Sequence, residues 1–252
     1  MVDELLIDFN PNRQYLLKNE LAMYAIIATS DFKRPICFTS TQELKELGLD
    51  KYVRQTGMSY QLVPVLNQTI DADVAYKNMM TKFSFGNAKN PNVYFDEENR
   101  RHLNSMRLAF SQVAQSLAIE GKRDSAQQLL RKLDAETNEK NFPYGMTSNR
   151  GNQHNYFSYL FLQACYASGE LNLAKKVSVS LLKDLKQGVA YYKSLGEAMS
   201  DDQFFVNAEN AYQGKPNSLA NKQIAFVQDI LTCGQLIEAV NKMEKDFSIA
   251  KK

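Results

Sequence analysis

The two histidines, His102 and His154, are the only imidazole side chains available for acid/base chemistry in this chain. Neither lies in a nucleophile elbow, an HExxH helix, a Walker loop or a GxGxxG turn. His102 follows Arg100 and Arg101 in a helical pattern, which favours an exposed position on a helix surface. The three cysteines are far apart and form no CxxC pair. The sequence therefore predicts no catalytic residue, no metal site and no cofactor.

The densest group of side chains suited to ligand binding lies in the polar segment 143–156. Amides, a guanidinium, an imidazole and phenol rings can form paired hydrogen bonds with sugar hydroxyls and can stack on sugar rings. We therefore expect ligand contacts from Tyr144, Asn149, Arg150, Asn152 and His154. The alternative interpretation is that a polar, glycine-containing segment simply connects two helical hairpins at the surface.

The charge balance argues against a nucleic-acid partner. Lys plus Arg number 30 and Asp plus Glu number 28, so the formal net charge is only +2, whereas nucleic-acid binders show a clustered basic excess. Adjacent acids, such as Glu97-Glu98 and Asp201-Asp202, are better explained as helix starts than as catalytic pairs. The apolar stretch 22–28 is too short to cross a bilayer, and we expect this fragment to be soluble.

Strand and helix patterns alternate over residues 1–88, which predicts a small α/β layer. The predicted elements, in order, are a strand over 4–9, a helix over 19–29, a buried strand over 35–39, a helix opened by a capping box over 40–54, and a strand over 60–65. Because a helix separates the last two strands, we expect parallel pairing through a right-handed crossover. Asp71 or Asp73 then caps a helix that runs to about Lys82.

The pattern over residues 89–252 is almost wholly helical. Apolar residues recur at i, i+3, i+4 and i+7, and glycines at 121, 169 and 234 predict the bends of three antiparallel hairpins. Each bend has an alanine five residues later, which would let two helices approach closely. The pattern resembles tetratricopeptide (TPR) hairpins with irregular spacing, and the alternative is a plain helical bundle. The predicted fold class is α+β, mainly α, with TPR-like helices packed as one unit with the layer.

A set of local strings also resembles a known family. They occur in this order at residues 19–28, 32–38, 48–52, 57–64, 82–87 and 94–101. Together they resemble the extramembrane C-terminal region of a bacterial multi-spanning membrane family, formerly a domain of unknown function and now glycosyltransferase family 117. The resemblance is good over about residues 1–135 and looser beyond. Phe32 and Cys37 depart from the family's pattern, where Trp and Tyr are expected.

The resemblance implies that a membrane-embedded sugar-transferase core lies elsewhere in the full protein. This chain would then be a non-catalytic accessory domain on the periplasmic face of the inner membrane, and its partners would be the membrane-embedded part of the same protein and an acceptor protein or glycan. Candidate contacts are Arg34, Tyr60 and Arg101. Each also has a structural explanation, as a turn donor, a core residue and a surface ion pair respectively.

Two other functions stay open at this point. A stand-alone TPR-like adaptor would bind a peptide on the curved surface that stacked hairpins provide. A glycan-processing enzyme would need a carboxylate-lined cleft, which no motif of the sequence indicates.

Overall fold

The computed structural model of the protein describes residues 5, 7, 15–66, 69–147 and 151–249. The chain divides into two compact units, Met1–Phe83 and Ser84–Lys252. The fold is α+β and mainly helical, as predicted, with a small sheet confined to the first unit.

The first unit combines short helices with a three-stranded sheet. Its elements are α1 (Lys18–Ser30), β1 (Cys37–Phe38), α2 (Gln42–Glu46), a 3-10 turn (Asp50–Tyr52), β2 (Val53–Gln55), β3 (Tyr60–Leu62) and α3 (Ala72–Thr81). The predictions of α1, β3 and α3 are confirmed. Asp71 caps α3 by accepting a hydrogen bond from the Val74 amide at 3.2 Å. The core consists of Ile27, Leu44, Leu47, Leu49, Tyr52, Val53 and Leu62.

The predicted parallel pairing is wrong. The strand order is β1-β3-β2 and both pairings are antiparallel, with Cys37 opposite Gln61 and Gln55 opposite Tyr60. The physical reason is that the helix predicted over 40–54 ends at Glu46, and the strand β2 forms within the range predicted to be helical. Only the tight connection 56–59, closed by a hydrogen bond from the Thr56 amide to the Ser59 carbonyl, joins β2 to β3. Such a short connection permits only a hairpin.

The strands predicted over 35–39 and 4–9 differ from the structure or lie mostly outside its described residues. The strand at 35–39 is not buried, because Cys37 is exposed and Phe38 only half-buried. The strand predicted over 4–9 falls mostly outside the described residues. Leu5 and Ile7, which are described, are not in a strand and pack against the core.

The second unit is helical in the residues that the structure describes. Its helices are α4 (Glu97–Ile119), α5 (Arg123–Glu136), α6 (Gln153–Ser168), α7 (Leu171–Ser194), α8 (Asp201–Tyr212), α9 (Asn221–Ile224) and α10 (Val227–Ile249). The acid pairs at 97–98 and 201–202 lie in first helical turns, as predicted. Asp96 and Ser200 cap those helices with their side chains.

Two of the three predicted hairpins are present, α4 with α5 and α6 with α7. Gly121 and Gly169 adopt left-handed backbone angles at the two bends, with φ of 79° and 82°. At the second bend, the Glu170 amide donates to the Cys165 carbonyl at 2.8 Å and closes the helix end. Ala126 and Ala174 are completely buried beyond these bends, so each small side chain lies in a helix contact.

The predicted bend at Gly234 is wrong, because α10 runs without interruption from Val227 to Ile249. The glycine instead makes room for an aromatic ring of α8. A Cβ atom at Gly234 would lie 2.7 Å from Cε1 of Phe205. The missing side chain thus serves close packing of a ring on a helix, not a change of chain direction.

Candidate functional site

The segment joining α5 to α6 is held in place by a buried arginine of α4. Arg107 is completely buried. Its guanidinium donates to Ser158 Oγ at 2.7 Å, to the Pro143 carbonyl at 3.2 Å and to the Phe142 carbonyl at 3.3 Å. The same group lies over the Phe142 ring, 3.7 Å from its centroid, and 4.6 Å from the Tyr144 centroid. One side chain therefore fixes three consecutive residues of the segment.

The charged guanidinium of Arg107 is in direct contact with carbonyl oxygens and with the faces of aromatic rings. Burial lowers the pKa of Arg107 to about 9, and the negative charges of Glu139 and Asp134 act in the opposite direction. The side chain is therefore protonated at neutral pH and keeps its donors. Desolvation of a charge is costly, so the hydrogen bonds and the cation–π contacts are what make the buried position tenable.

His154 lies beside this arginine. Its Nε2 atom is 2.8 Å from the Pro143 carbonyl oxygen and 3.0 Å from Nη1 of Arg107. The shorter distance favours an Nε2–H group that donates to Pro143, because Arg107 already donates to Ser158 and to the same carbonyl. Burial, with the adjacent guanidinium, lowers the pKa of His154 to about 3. The ring is neutral at physiological pH and edge-on to Phe142.

Acidification is expected to destabilise the helical unit through His154. An ordinary histidine takes up its proton near pH 6.5, whereas this one does so near pH 3 when folded. The unfolded state binds more protons than the folded state between those two pH values. The contribution of His154 to the free energy of unfolding is therefore fully present only above pH 6.5. Below it, the free energy of unfolding falls by up to roughly 1.4 kcal/mol per pH unit. Urea titrations between pH 7.5 and about 4 measure the effect.

The control for this experiment is the other histidine. His154→Asn removes the titrating ring, so its stability is expected to depend less on pH across the same range. His102→Asn removes an exposed imidazole beside Glu98 on α4 and leaves His154 in place, so the loss of stability on acidification that His154 causes is expected to persist. An equal pH slope in His154→Asn and the parent would contradict the assignment.

Asn155 of α6 holds the other end of the segment. Asn155 is completely buried. It accepts a hydrogen bond from the Met146 amide at 2.8 Å and donates to Asp184 of α7 at 2.8 Å and to Asn152 at 3.1 Å. The Gly145 amide donates to Ser180 Oγ of α7 at 3.2 Å. Residues 142–147 are therefore tied to α4 on one side and to α7 on the other.

A polar cleft opens where this segment meets the first turns of α10. It has a volume of about 470 Å³ and is lined by Gly151, Asn152, Gln153, Tyr156, Gln228, Asp229 and Thr232. Asn152 joins its two walls, because its amide nitrogen lies 3.4 Å from the Asp229 carbonyl oxygen and 3.4 Å from Cys233 Sγ. Gly151 has a φ of +63°, and a Cβ there would lie 2.6 Å from Oδ1 of Asp229.

The cleft offers the groups that sugars use. Two amides, a carboxylate and a hydroxyl provide donors and acceptors, and the half-exposed Tyr156 ring provides an apolar face. Asn152 is buried and engaged in holding the walls, so the accessible side chains are those of Gln153, Tyr156, Gln228, Asp229 and Thr232. This arrangement can hold a polyhydroxylated ligand by hydrogen bonds and stacking.

The structure places the sequence-predicted site residues in different surroundings. Tyr144 and His154 are in the interior, contrary to the expectation of a surface segment, and the Tyr144 hydroxyl donates to Asp134 at 2.8 Å. Asn152 lies at the cleft. Asn149 and Arg150 lie outside the described residues. The roles of all five in ligand binding stay predictions.

The three remaining candidates lie elsewhere. In the first unit, Arg34 is exposed and Tyr60 is half-buried against the core. In the second, Arg101 is exposed on α4 and pairs with Glu98 one turn earlier. The ion pair of Arg101 and the core contact of Tyr60 agree with their structural explanations, and the roles of all three residues as contacts stay predictions.

Sequence reasoning missed the α10 wall of the cleft. This wall consists of Gln228, Asp229 and Thr232, which are distant in sequence from the polar segment. Because the sequence predicted a bend at Gly234, it did not predict α10 as one continuous helix that could form a wall. Gln153 and Tyr156 fall within the segment singled out from the sequence. The residues that face them across the cleft can be identified only from the packing of α6 on α10, which the periodicity of the sequence does not reveal.

Comparison with known proteins bears on the first unit. Residues 1–82 match the family model described as TMEM260-associated domain 2. The TMEM260-associated match spans α1 to α3 and about a third of the chain. No curated protein and no solved structure matches the chain.

Among the residues that the structure describes, no helix is both long and apolar enough to cross a membrane. No group of three or more His, Cys, Asp or Glu side chains in the same residues could hold a metal ion.

Proposed function

We propose that this chain is an extramembrane binding module of a membrane glycosyltransferase-like protein, and that its cleft holds a glycan or the glycosylated part of an acceptor protein. The observation that carries the proposal is the cleft between α6 and α10, with its amides, carboxylate, hydroxyl and half-exposed tyrosine. Hydrogen bonds from Asn152 join its two walls, so little ordering is needed when a ligand binds.

The family context supports the setting of this function. The family strings imply a membrane-embedded transferase in the full protein, and a model whose description associates it with TMEM260 matches residues 1–82, which contain most of those strings. In this proposal the chain lies on the periplasmic side, contacts the membrane-embedded part of its own protein and carries no catalytic group of its own.

Loss of the tyrosine ring from the cleft is expected to weaken glycan binding roughly five- to thirtyfold, because ring stacking contributes on the order of 1–2 kcal/mol. The test is a glycan array with neutral, amino and acidic saccharides, followed by titration calorimetry with the best saccharide. The test variants are Tyr156→Ala and Gln228→Ala, each with an unchanged thermal melt. Tyr212→Ala removes a comparably exposed tyrosine at the end of α8 and serves as the matched control.

Binding by the parent and by Tyr212→Ala, with loss in the two cleft variants, supports the proposal. A parent chain that retains no saccharide would sink it. Equal binding by all variants would show that a saccharide binds elsewhere on the chain.

A second candidate function, a TPR-like adaptor for peptides, is favoured by a separate groove. Two adjoining cavities of about 560 and 710 Å³ lie among α7, α8 and α10 and share Phe205 and Ile237. The apolar floor and the lysine and carboxylate rim suit an amphipathic peptide. Peptide binding there would not depend on Tyr156, so the Tyr156→Ala variant distinguishes the two candidates.

A further inference from the structure

Helix α1 carries an apolar surface that the described part of the chain leaves uncovered. Its eight central residues, 21–28, contain no charged side chain. Only Ile27 among them is buried, whereas Leu21 is 53% and Ile26 59% exposed. A helix that is hydrophobic on all sides is normally covered on all sides. A contiguous exposed apolar surface marks a place of interaction.

The exposed apolar residues belong to one side of the helix. Leu17, Leu21 and Ala25 follow each other at four-residue intervals, and Ala22 and Ile26 lie beside them. These five residues, all exposed, are named the α1 apolar face. Tyr15 and Phe32, at 67% and 41% exposure, stand at its two ends. An exposed aromatic residue therefore precedes this face in the sequence, and another follows it.

The exposed charges of the segment 15–34, which contains α1, are mainly positive. Lys18 lies at the start of α1, and Lys33 and Arg34 follow its end; all three are exposed. Of the acids, Asp31 pairs with Lys33 at 3.2 Å. The other, Glu20, is buried with its carboxylate on the Leu17 amide at 2.7 Å. The exposed charge in this segment is thus three cations against one anion. This net positive charge complements an anionic surface.

We propose that the α1 apolar face lies on an anionic lipid bilayer, with the helix axis parallel to the membrane plane. An apolar face with flanking cations and aromatic rings is the arrangement of interfacial helices. Thirteen residues give a length of about 20 Å, well short of the roughly 30 Å hydrocarbon core. The helix therefore lies on the membrane and does not cross it. This inference is independent of the cleft and of any ligand there.

Cosedimentation of the full chain with lipid vesicles tests the proposal. We expect binding to phosphatidylcholine vesicles that contain about 30% phosphatidylglycerol, and weaker binding to pure phosphatidylcholine. The double variant Leu21→Ser/Ile26→Ser should lower the partition coefficient at least about tenfold, because two half-exposed apolar side chains no longer enter the lipid. Both side chains are exposed in the chain, so the variant is expected to fold.

The matched control is Ile119→Ser/Val206→Ser, which removes two exposed apolar side chains, at 86% and 60% exposure, from other helices. It should bind vesicles like the parent. Failure of the parent to bind, or equal loss in both double variants, overturns the proposal. Equal binding to the two vesicle types contradicts the role of the cations. A parent that elutes as a dimer, together with a monomeric Leu21→Ser/Ile26→Ser variant, identifies a second copy as the occupant and also overturns it.

Discussion

Replacing Arg107 by methionine is expected to lower the free energy of unfolding of the helical unit by about 3 kcal/mol. Methionine fills much of the same space but donates no hydrogen bond. The Phe142 and Pro143 carbonyls and the Ser158 hydroxyl lose their charged donor inside the protein. The cation–π contacts with the two rings are lost as well. Urea titration followed by circular dichroism measures the change.

Arg101→Met is the matched control, because Arg101 is an exposed arginine on the same helix. It pairs with Glu98 at the surface, and such exposed pairs contribute little to stability, so a much smaller change than in Arg107→Met is expected. Arg107→Met should also flatten the acid dependence of stability, since the guanidinium contributes to the lowered pKa of His154. A variant as stable as the parent, with an unchanged pH profile, would refute this role of Arg107.

Adding one methyl group at Gly145 is expected to cost about 3 kcal/mol, at the upper end of the range for overpacking. The new Cβ atom would overlap the Ser180 carbonyl oxygen and would lie 2.7 Å from the Asp184 Cβ atom. Ser180 lies inside α7, where the helix hydrogen bonds prevent its carbonyl from moving aside. The segment must therefore move away from α7. Thermal and urea denaturation of Gly145→Ala measure the cost.

Gly214→Ala separates crowding from backbone strain. Gly214 has a φ of +69° and no atom within 4 Å of an added Cβ, so only the left-handed backbone is penalised, by about 1 kcal/mol. Gly145 shows the opposite combination, with crowding and no positive φ. The expected order of destabilisation is Gly145→Ala above Gly214→Ala. A smaller loss in Gly145→Ala would mean that the segment adapts easily.

Periodicity predicted the helices well where each one has its own apolar stripe. Leu103, Phe110, Val113, Ala114 and Leu117 are all buried on α4, at the spacings that the sequence shows. Arg107 was missed although it falls in the same stripe, four residues after Leu103 and three before Phe110. Its position was the available signal: a charged side chain in an apolar stripe must be buried with partners.

Local patterns failed where distant packing decides the structure. The capping box at 40–43 predicts a helix start, and a helix does start there, but the leucines that follow are used by the core and the helix ends at Glu46. Gly234 predicts a bend from its type alone. The ring of Phe205, which explains the glycine, lies on another helix. The cleft depends on the same kind of information, since its two walls are more than seventy residues apart in sequence.

The hydrogen bonds from Asn152 to α10 also bear on how far this protein can be shortened. Arrays of stacked repeats tolerate removal of terminal copies, since each copy touches only its neighbours. Here the last helix contributes to the surroundings of a residue near the middle of the chain. Deleting α10 would therefore remove one wall of the cleft and expose the surroundings of Asn152, so the helical unit is not expected to tolerate loss of this terminal helix.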